Sequence, residues 1–353
     1  MSRFAPFTCI DFPYRIIDGV PLEATIMIPS SIPIPATNPD KKYPVMVYWH
    51  GGGFVVGHRL YEPWFTQWLL DLALANEAII ITADYRLLPE ANGSDVISDV
   101  AHLWRWLQRD LPRHVERDNL PRLDIGNILC CGESSGGFIS VYCGLHLDAM
   151  LAPQPDSGDE DSDGDTQSGP VEGVKIRAVI SIAAPLDDTD PVYKVPRPRV
   201  FMGTRPPPPR QALAKIRGYL KNITPGSIRT GSEPTADMWE LFLCLAQQNY
   251  MPRLFGLRGG QDGRPAVEGF METLGKGDKT MAPVWVVHGG DDTMVPSSCS
   301  SSFVRRLQGV QPEVPVHLSI CPGEHLFYVN VDMDAGWVQE GALFLRDHWP
   351  KYR

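Results

Sequence analysis

Short apolar runs alternate with helical patterns along most of the chain. Six apolar runs predict strands: 43–50, 78–85, 124–131, 176–184, 282–290 and 314–323. The runs 78–85 and 124–131 are of the kind expected from strands buried on both faces. Apolar residues at helical spacing predict helices elsewhere: 63–76, 95–110, 138–150, 297–307 and 331–348. Because strands and helices alternate, we expect one α/β domain over residues 1–353, with a mostly parallel central sheet covered by helices on both faces.

Three segments depart from this alternation. Near the N-terminus, two extended runs flank Asp18 and Gly19, a dipeptide typical of tight β-hairpins. Residues 153–173 are rich in Asp, Ser and Gly, and their few apolar side chains cannot offset the entropy of ordering. We expect a disordered acidic loop there, with a partner-binding acidic tag as the alternative. Residues 187–280 are too many for a structureless connection and contain helical patterns, so they predict a helical cap inserted over the sheet.

Composition and charge narrow the class of protein. Apolar residues make up 43% and charged residues 21%, as in ordinary globular proteins, and no apolar run is long enough to span a membrane. Six acidic residues within 156–165 contribute much of the net charge of −10, and removing them leaves only −4. Because the chain also lacks a basic stripe, nucleic-acid binding is not expected.

Cysteine usage and the N-terminal sequence bear on cofactors and location. The seven cysteines lack metal-ligand spacing, so we expect reduced core thiols and neither a metal nor another cofactor. The N-terminal residues lack the pattern of a secretory signal, so the expected location is cytoplasmic. The sequence leaves the oligomeric state open.

A candidate nucleophile lies between a predicted strand and a predicted helix. Residues 132–136 read Gly-Glu-Ser-Ser-Gly, which matches the Gly-x-Ser-x-Gly nucleophile elbow in the required strand–turn–helix setting. Glycines are needed at both ends because the reversal is tight, and the residue at the apex adopts a strained backbone. The frame places Ser134 at the apex, where the positive end of the following helix favours developing negative charge.

A second glycine-rich loop follows the strand predicted at 43–50. His50 precedes Gly51, Gly52 and Gly53, at the position from which an oxyanion hole takes its backbone N–H groups. We expect Gly51, Gly52, Gly53 and Ser135 to form this hole, with the amides of Gly52, Gly53 and Ser135 as donors. The alternative is a flexible glycine turn, which is less consistent with two matching loops at one sheet edge.

Ser134 needs a base at neutral pH, and nine histidines are available. His325 follows the last predicted strand, at the sheet edge where sites of doubly wound folds are built, and is the expected base. An acid that orients the base is expected on the loop after the preceding strand. The candidates on that loop are Asp291 and Asp292. Asp187, Asp188 and Asp190, which follow the strand predicted at 176–184, are further candidates.

Together these motifs resemble the α/β-hydrolase fold family, and more narrowly its hormone-sensitive-lipase-like carboxylesterases. The resemblance covers about residues 43–349: 50–54 resemble the oxyanion motif and 84–90 the structural loop that follows it. It implies a catalytic triad of Ser134, Asp292 and His325, because Asp292 has the family's spacing to Val295 and the following proline. Asp291 is then expected to shape the turn. The implied activity is hydrolysis of short or medium acyl esters, or of secondary-metabolite esters, through an acyl-enzyme.

Three departures leave the substrate class open. The elbow contains Glu133 where Asp is commoner, the acid loop ends in Asp-x-x-Val-Pro as in prolyl-oligopeptidase-like hydrolases, and Leu326 follows the expected base where Gly is frequent. A weaker likeness is to fungal enzymes that trim secondary metabolites.

Other functions on the same fold remain as alternatives. They are an acyltransferase, lyase or cyclase of secondary metabolism with the same triad, a catalytically silent small-molecule receptor, which predicts a broken triad, and a peptidase. The expected partner of the hydrolase is a small-molecule ester. Trp64 and Trp68 are expected in the core by helical spacing, and Trp239 and Phe242 are candidates for lining an acyl pocket.

Overall fold

A computed structural model describes residues 2–38, 40–152, 173–257 and 267–350. Eight strands form one sheet: β1 (Phe7–Ile17), β2 (Val20–Pro29), β3 (Lys42–Trp49), β4 (Ile79–Ala83), β5 (Arg122–Glu133), β6 (Ile176–Ile182), β7 (Val284–Gly289) and β8 (Val316–Cys321). Their spatial order is β1-β2-β4-β3-β5-β6-β7-β8. The contacts of β1 with β2 and of β2 with β4 are antiparallel, and all others are parallel. The expected α/β fold with a mostly parallel sheet is confirmed.

Ten α-helices lie within the described ranges: α1 (Gln67–Ala75), α2 (Gly93–Arg109), α3 (Leu111–Arg117), α4 (Ser135–Leu151), α5 (Pro209–Lys221), α6 (Ala236–Gln247), α7 (Met251–Leu254), α8 (Phe270–Lys276), α9 (Ser298–Val310) and α10 (Gly336–Arg346). The helices predicted from 63 and from 331 begin later, at Gln67 and Gly336, because turns precede both. Four helices, α5 to α8, and a short 3-10 helix lie between β6 and β7. None of the described helices combines the length and apolar character that crossing a bilayer requires.

Alternating residues of the strands face two separate apolar clusters. In β3, Val45 and Val47 belong to the cluster that also contains residues of α2, α4 and α9, whereas Met46 and Tyr48 face the cluster with α1 and α10. A period of two is expected when a strand is covered on both sides. The sheet is thereby fixed from both faces. The loops after β3, β5 and β7 start from buried strands, whereas β8, at the edge of the sheet, is only partly buried, and Ile320 is exposed.

Turn chemistry also follows the sequence prediction at the N-terminus. Asp18 and Gly19 join β1 to β2 with φ values of 47° and 79°, the positive values that a tight two-residue hairpin requires.

All seven cysteines are free thiols, six of them buried and Cys9 exposed, so the expectation of core thiols is wrong for Cys9. The acidic loop expected at 153–173 lies outside the described residues apart from Gly173.

Candidate active site

Ser134 lies at the turn between β5 and α4, where the Gly-x-Ser-x-Gly pattern places it. Its backbone has φ 51° and ψ −118°, and this positive φ is strained for a residue with a side chain. The Ser134 amide donates to the carbonyl oxygen of Ile182 in β6 at 2.7 Å, which holds the turn against the sheet. Because Ser134 immediately precedes a 17-residue helix, it lies at the positive end of the helix dipole.

Two glycines allow this turn because neighbouring backbone occupies the space of a side chain. A Cβ atom on Gly132 would lie 2.4 Å from the carbonyl oxygen of Gly136. A Cβ atom on Gly136 would lie 2.0 Å from the carbonyl oxygen of Trp49. Backbone obstacles cannot rotate away, so the requirement for glycine at both positions has a steric cause.

Three side chains that are distant in sequence meet beside the turn. His325 Nε2 lies 3.0 Å from Ser134 Oγ, and His325 Nδ1 lies 2.7 Å from Asp292 Oδ2. A carboxylate only accepts hydrogen bonds, so Nδ1 carries the hydrogen and Nε2 accepts one from the serine hydroxyl. All three residues are buried. The structure therefore brings together the three residues that the resemblance implies.

Asp292 is bound at both carboxylate oxygens. Its Oδ1 accepts hydrogen bonds from the amides of Met294 and Val295 at 2.8 Å each, while Oδ2 faces His325. Burial acts to raise the pKa of Asp292, but the charge of His325 and hydrogen bonds from His288 and His325 outweigh it. The pKa of Asp292 is held well below its usual range, so the carboxylate is ionised at neutral pH.

The other candidate aspartates make different contacts. Asp291 Oδ2 accepts a hydrogen bond from the amide of Gly323 at 3.0 Å, which joins the loop after β7 to the loop after β8. Asp187 and Asp190 accept hydrogen bonds from backbone amides of their own loop. Of these carboxylates, Asp292 is the one that contacts the His325 ring.

The glycine loop after β3 lies against this elbow. The amides of Gly52 and Gly53 have no backbone acceptor within the described ranges, and their φ values are 104° and 61°. A Cβ atom on Gly52 would lie 1.9 Å from the carbonyl oxygen of Val56, so glycine is required there. The amide of Ser135 belongs to the first turn of α4, where backbone N–H groups lack helical acceptors. These amides form the candidate oxyanion hole.

His50 and the 84–90 segment support the glycine loop. His50 Nδ1 donates to the carbonyl oxygen of Gly51 at 2.7 Å, and burial lowers the pKa of His50 to about 3, so the ring is neutral. Tyr85 stacks on His50 with 4.3 Å between ring centroids and donates to its carbonyl oxygen at 2.8 Å. Arg86 fixes the same segment by pairing with the buried Asp99 at 2.9 Å. The 84–90 segment thus fixes the position of the glycine loop through the contacts of Tyr85 with His50.

Glu133, next to Ser134, is a second buried carboxyl group at the site. Its Oε2 accepts a hydrogen bond from Thr66 Oγ1 at 3.0 Å, and the residue is only 1% exposed. Burial raises the pKa of Glu133 to about 8, although hydrogen bonds from Thr66 and Tyr48 act in the opposite direction. Glu133 is therefore mostly protonated at neutral pH, whereas Asp292 is ionised.

A bridge of side chains joins the loops that carry Asp292 and His325. Glu324 accepts hydrogen bonds from the amide and hydroxyl of Thr293 at 2.6 Å each, and from the amide of His325 at 2.8 Å. Thr293 Oγ1 also accepts a hydrogen bond from the amide of Met202, between β6 and β7. Sequence reasoning gave Thr293 and Glu324 no role. The available signal was that each is adjacent to a candidate triad residue.

A narrow cavity lies in front of Ser134. Its free volume is about 20 Å³, room for about one water molecule. The lining is mostly apolar and comes from the glycine loop, the turn before α1, the elbow, the loops after β7 and β8, and the segment between β6 and β7. Its residues are Gly51, Gly52, Gly53, Trp64, Glu133, Ser134, Met202, Trp239, Phe242, Met294, His325, Leu326 and Tyr328. A Cβ atom on Gly53 would lie only 2.1 Å from the ring of Phe242, so this ring packs directly on the glycine loop.

One aromatic residue, Trp64, lies in a different place from the one expected. Trp239 and Phe242 line the cavity, but Trp64 lines it as well, with 5.9 Å between its ring centroid and that of Trp239. The expectation that Trp64 lies in the core is wrong because α1 begins at Gln67, so Trp64 belongs to the preceding turn. Trp68, inside the helix, is fully buried as expected.

The sequence is similar to known proteins, and to one of them over nearly its whole length. Residues 46–188 match a family described as having the alpha/beta hydrolase fold. The chain is 40% identical to a protein of Phoma sp. named "Probable carboxylesterase M8", over 99% of this chain and 98% of that protein. It is 38% identical to "Probable carboxylesterase clz11" of Cochliobolus lunatus, over 62% of this chain and 87% of that protein.

Solved structures share the fold at lower sequence identity. An alpha/beta hydrolase superfamily protein of Enterococcus faecalis matches with a TM-score of 0.57 and 17% identity, covering 96% of each chain. Esterase 2 of Thermogutta terrifontis, phosphonylated by sarin, matches with a TM-score of 0.56 and 16% identity, covering 97% of each chain. The structural matches support the fold, and the relative aligned over its full length establishes the family. The chain belongs to the α/β-hydrolase fold family, among the carboxylesterases that resemble hormone-sensitive lipase.

Proposed function

We propose that Ser134, His325 and Asp292 form the catalytic triad of this carboxylesterase, which cleaves esters through an acyl-enzyme. The observation that carries the proposal is the continuous path from Ser134 Oγ through the His325 ring to the Asp292 carboxylate, at 3.0 and 2.7 Å. In such a path the imidazole removes the hydroxyl proton as the oxygen attacks the ester carbonyl. The ionised carboxylate keeps the ring in the required tautomer and stabilises the imidazolium that forms.

The oxyanion of the tetrahedral intermediate is proposed to bind the amides of Gly52, Gly53 and Ser135. Two features support this: the glycine amides lack backbone acceptors within the described ranges, and Ser135 begins α4. Fixed donors of this kind each contribute about 3–4 kcal/mol to transition-state stabilisation. The alcohol then leaves with a proton from His325, and water, activated by the same ring, releases the acid.

The proposed substrate is a small uncharged ester with a short, medium or aromatic acyl group. No Lys or Arg lies among the residues that line the cavity, whereas Trp64, Trp239 and Phe242 offer flat apolar surface. Because the free volume is only about 20 Å³, an acyl group enters only if lining side chains move. We propose that the 187–280 segment acts as a cap, since it supplies Trp239 and Phe242.

Replacing the nucleophile tests this function. The Ser134→Ala variant should lose at least about 1000-fold in kcat on p-nitrophenyl acetate, because the remaining oxyanion hole cannot replace the nucleophile. Ser301→Ala, on α9 and outside the site, is the matched control and should keep wild-type activity. Circular dichroism of both variants shows whether the fold is intact. A folded Ser134→Ala protein with wild-type turnover would contradict the proposal.

Product analysis separates hydrolysis from acyl transfer. With an ester substrate and an added alcohol, the proposal predicts free acid as the main product. A new ester as the main product would indicate a transferase. A series from acetyl to octanoyl and benzoyl esters then defines the acyl group.

A further inference from the structure

We propose that His288 is a positioning residue for Asp292, and that its Nε2–H group fixes the carboxylate for His325. His288 lies near the end of β7 and is fully buried. Its Nε2 lies 3.0 Å from the carbonyl oxygen of Val295 and 3.2 Å from Asp292 Oδ2. Both neighbours only accept hydrogen bonds, so Nε2 must carry a hydrogen. The inference rests on the triad proposed above.

The position of the ring is set from its other side. His288 Nδ1 forms a hydrogen bond with the hydroxyl of the buried Ser300 in α9, at 2.6 Å. Packing between β7 and α9 thus aims the Nε2–H edge at the loop that carries Asp292. Both ring nitrogens are therefore bonded, and the orientation of the ring is fixed.

His288 acts on Asp292 in two ways. By binding the carbonyl oxygen of Val295, it closes the turn whose amides, from Met294 and Val295, hold Asp292 Oδ1. Its N–H dipole also lies beside Oδ2, the same oxygen that accepts from His325. Asp292 Oδ2 therefore lies between two imidazole rings, and the second ring stabilises the ionised, oriented carboxylate.

The other ionisable groups that act on Asp292 do not duplicate this contact. Arg199 donates to the carbonyl oxygens of Thr293 and Met294 and is partly exposed, so it stabilises the loop instead of the carboxylate oxygens. Burial and the charges of Glu133 and Asp292 raise the pKa of Tyr328, so its hydroxyl is neutral and brings no charge to the carboxylate. Glu324 binds Thr293 and the His325 amide. Among these groups, only the His288 ring lies in contact with Oδ2 besides His325.

A pair of substitutions separates positioning from packing. The amide nitrogen of Gln can reach the place of Nε2, whereas that of Asn reaches only the place of Nδ1. We expect His288→Gln to keep kcat within about threefold and His288→Asn to lower it about tenfold, with KM little changed in both because the interaction acts on the chemical step. His317→Gln, on β8 and bonded to Ser319, is the matched control and should retain wild-type values.

The pH profile of kcat/KM gives a readout that packing alone would not move. Without the His288 N–H group, Asp292 attracts a proton more strongly, so the Asp292–His325 pair releases its proton at higher pH. The acidic limb of His288→Asn should therefore shift upward by about half a pH unit, while that of His288→Gln should stay in place.

The assignment would be overturned if the Asn and Gln variants had equal kcat values and equal acidic limbs, or if the Asn variant had wild-type kcat. It would also be overturned by an unshifted acidic limb in an Asn variant with lowered kcat, or by failure of both variants to fold. The last result would make His288 a core residue. Failure of the triad itself is distinguishable, since it appears as retained turnover in Ser134→Ala, independently of His288.

Discussion

The nucleophile edge of the site (residues 50–54 and 132–136) and its acid–base edge (291–295 and 323–326) are held by different interactions. At the nucleophile edge, backbone packing dictates the shape: Ser134 and Gly52 have positive φ, and a side chain at Gly136 would strike the backbone of Trp49. At the acid–base edge, the carboxylates of Glu324 and Asp292 accept hydrogen bonds from backbone amides and thereby fix the two loops. The first kind of constraint leaves glycines in the sequence, and the second leaves no simple pattern.

The two edges also hold their carboxyl groups in opposite states. Glu133 is buried beside Ser134 with its pKa raised to about 8, whereas the charge of His325 and hydrogen bonds from two histidines keep Asp292 ionised despite burial. When their surroundings shift the pKa values of two carboxyl groups in opposite directions, the two groups have different chemical roles. Only the ionised group can stabilise an imidazolium, so only the acid–base edge orients the base.

The largest effect is expected at the ionised carboxylate. Asp292→Asn should lower kcat about 1000- to 10000-fold, because the amide cannot hold His325 in the active tautomer. Asp291→Asn is the matched control and should cost only a few-fold, since Asp291 bonds the Gly323 amide instead of the base. Steady-state kinetics on a p-nitrophenyl ester compares the two variants. Equal losses of kcat in the two variants would contradict the different roles given to Asp291 and Asp292.

A backbone collision at the nucleophile edge should rank second. Gly136→Ala places a Cβ atom where the carbonyl oxygen of Trp49 lies, and displacing the elbow by about 1 Å costs about 100-fold in kcat/KM. Gly309→Ala, in α9 with open space around it, should leave activity unchanged and raise stability slightly. If both variants behave alike in kinetics and thermal melting, the steric account of the elbow fails.

Loss of the Thr293–Glu324 bridge should be milder, because several hydrogen bonds share the task of joining the two loops. Thr293→Val keeps the side-chain shape but removes the hydroxyl, and should lower kcat about tenfold with little change in KM. Glu313→Ala, an exposed carboxylate outside the site, serves as the control. Wild-type kinetics in Thr293→Val would show that the acid–base edge does not depend on this bridge.

A different kind of effect, on stability and not on the reaction rate, is expected at the nucleophile edge. The folded state binds the Glu133 proton more tightly than the unfolded chain, so this stabilisation is full below the unfolded pKa of about 4.3 and is lost as pH rises to about 8. Glu133→Gln should remove this decline, which amounts to at most about 1.4 kcal/mol per pH unit. Urea unfolding between pH 5 and 9 measures it. Parallel curves for the two proteins would contradict a buried, protonated Glu133.

Sequence patterns identified the nucleophile edge more completely than the acid–base edge. Gly132, Ser134 and Gly136 follow from the demands of one tight turn, and the buried strands on either side are visible as Val- and Ile-rich runs. The choice of Asp292 over Asp291 needed a family resemblance, because both follow the same strand. Glu324 contacts a loop 31 residues away, and the role proposed for His288 depends on how β7 packs against α9; local patterns encode neither.

Covalent labelling identifies the nucleophile. The enzyme is treated with a p-nitrophenyl phosphonate until hydrolysis stops, and the modified peptide is located by mass spectrometry. We expect one phosphonyl group per chain, attached to Ser134, and no labelling of the Ser134→Ala variant. Inactivation with the label on Ser135 or any other residue, or full labelling of Ser134→Ala, would contradict this expectation.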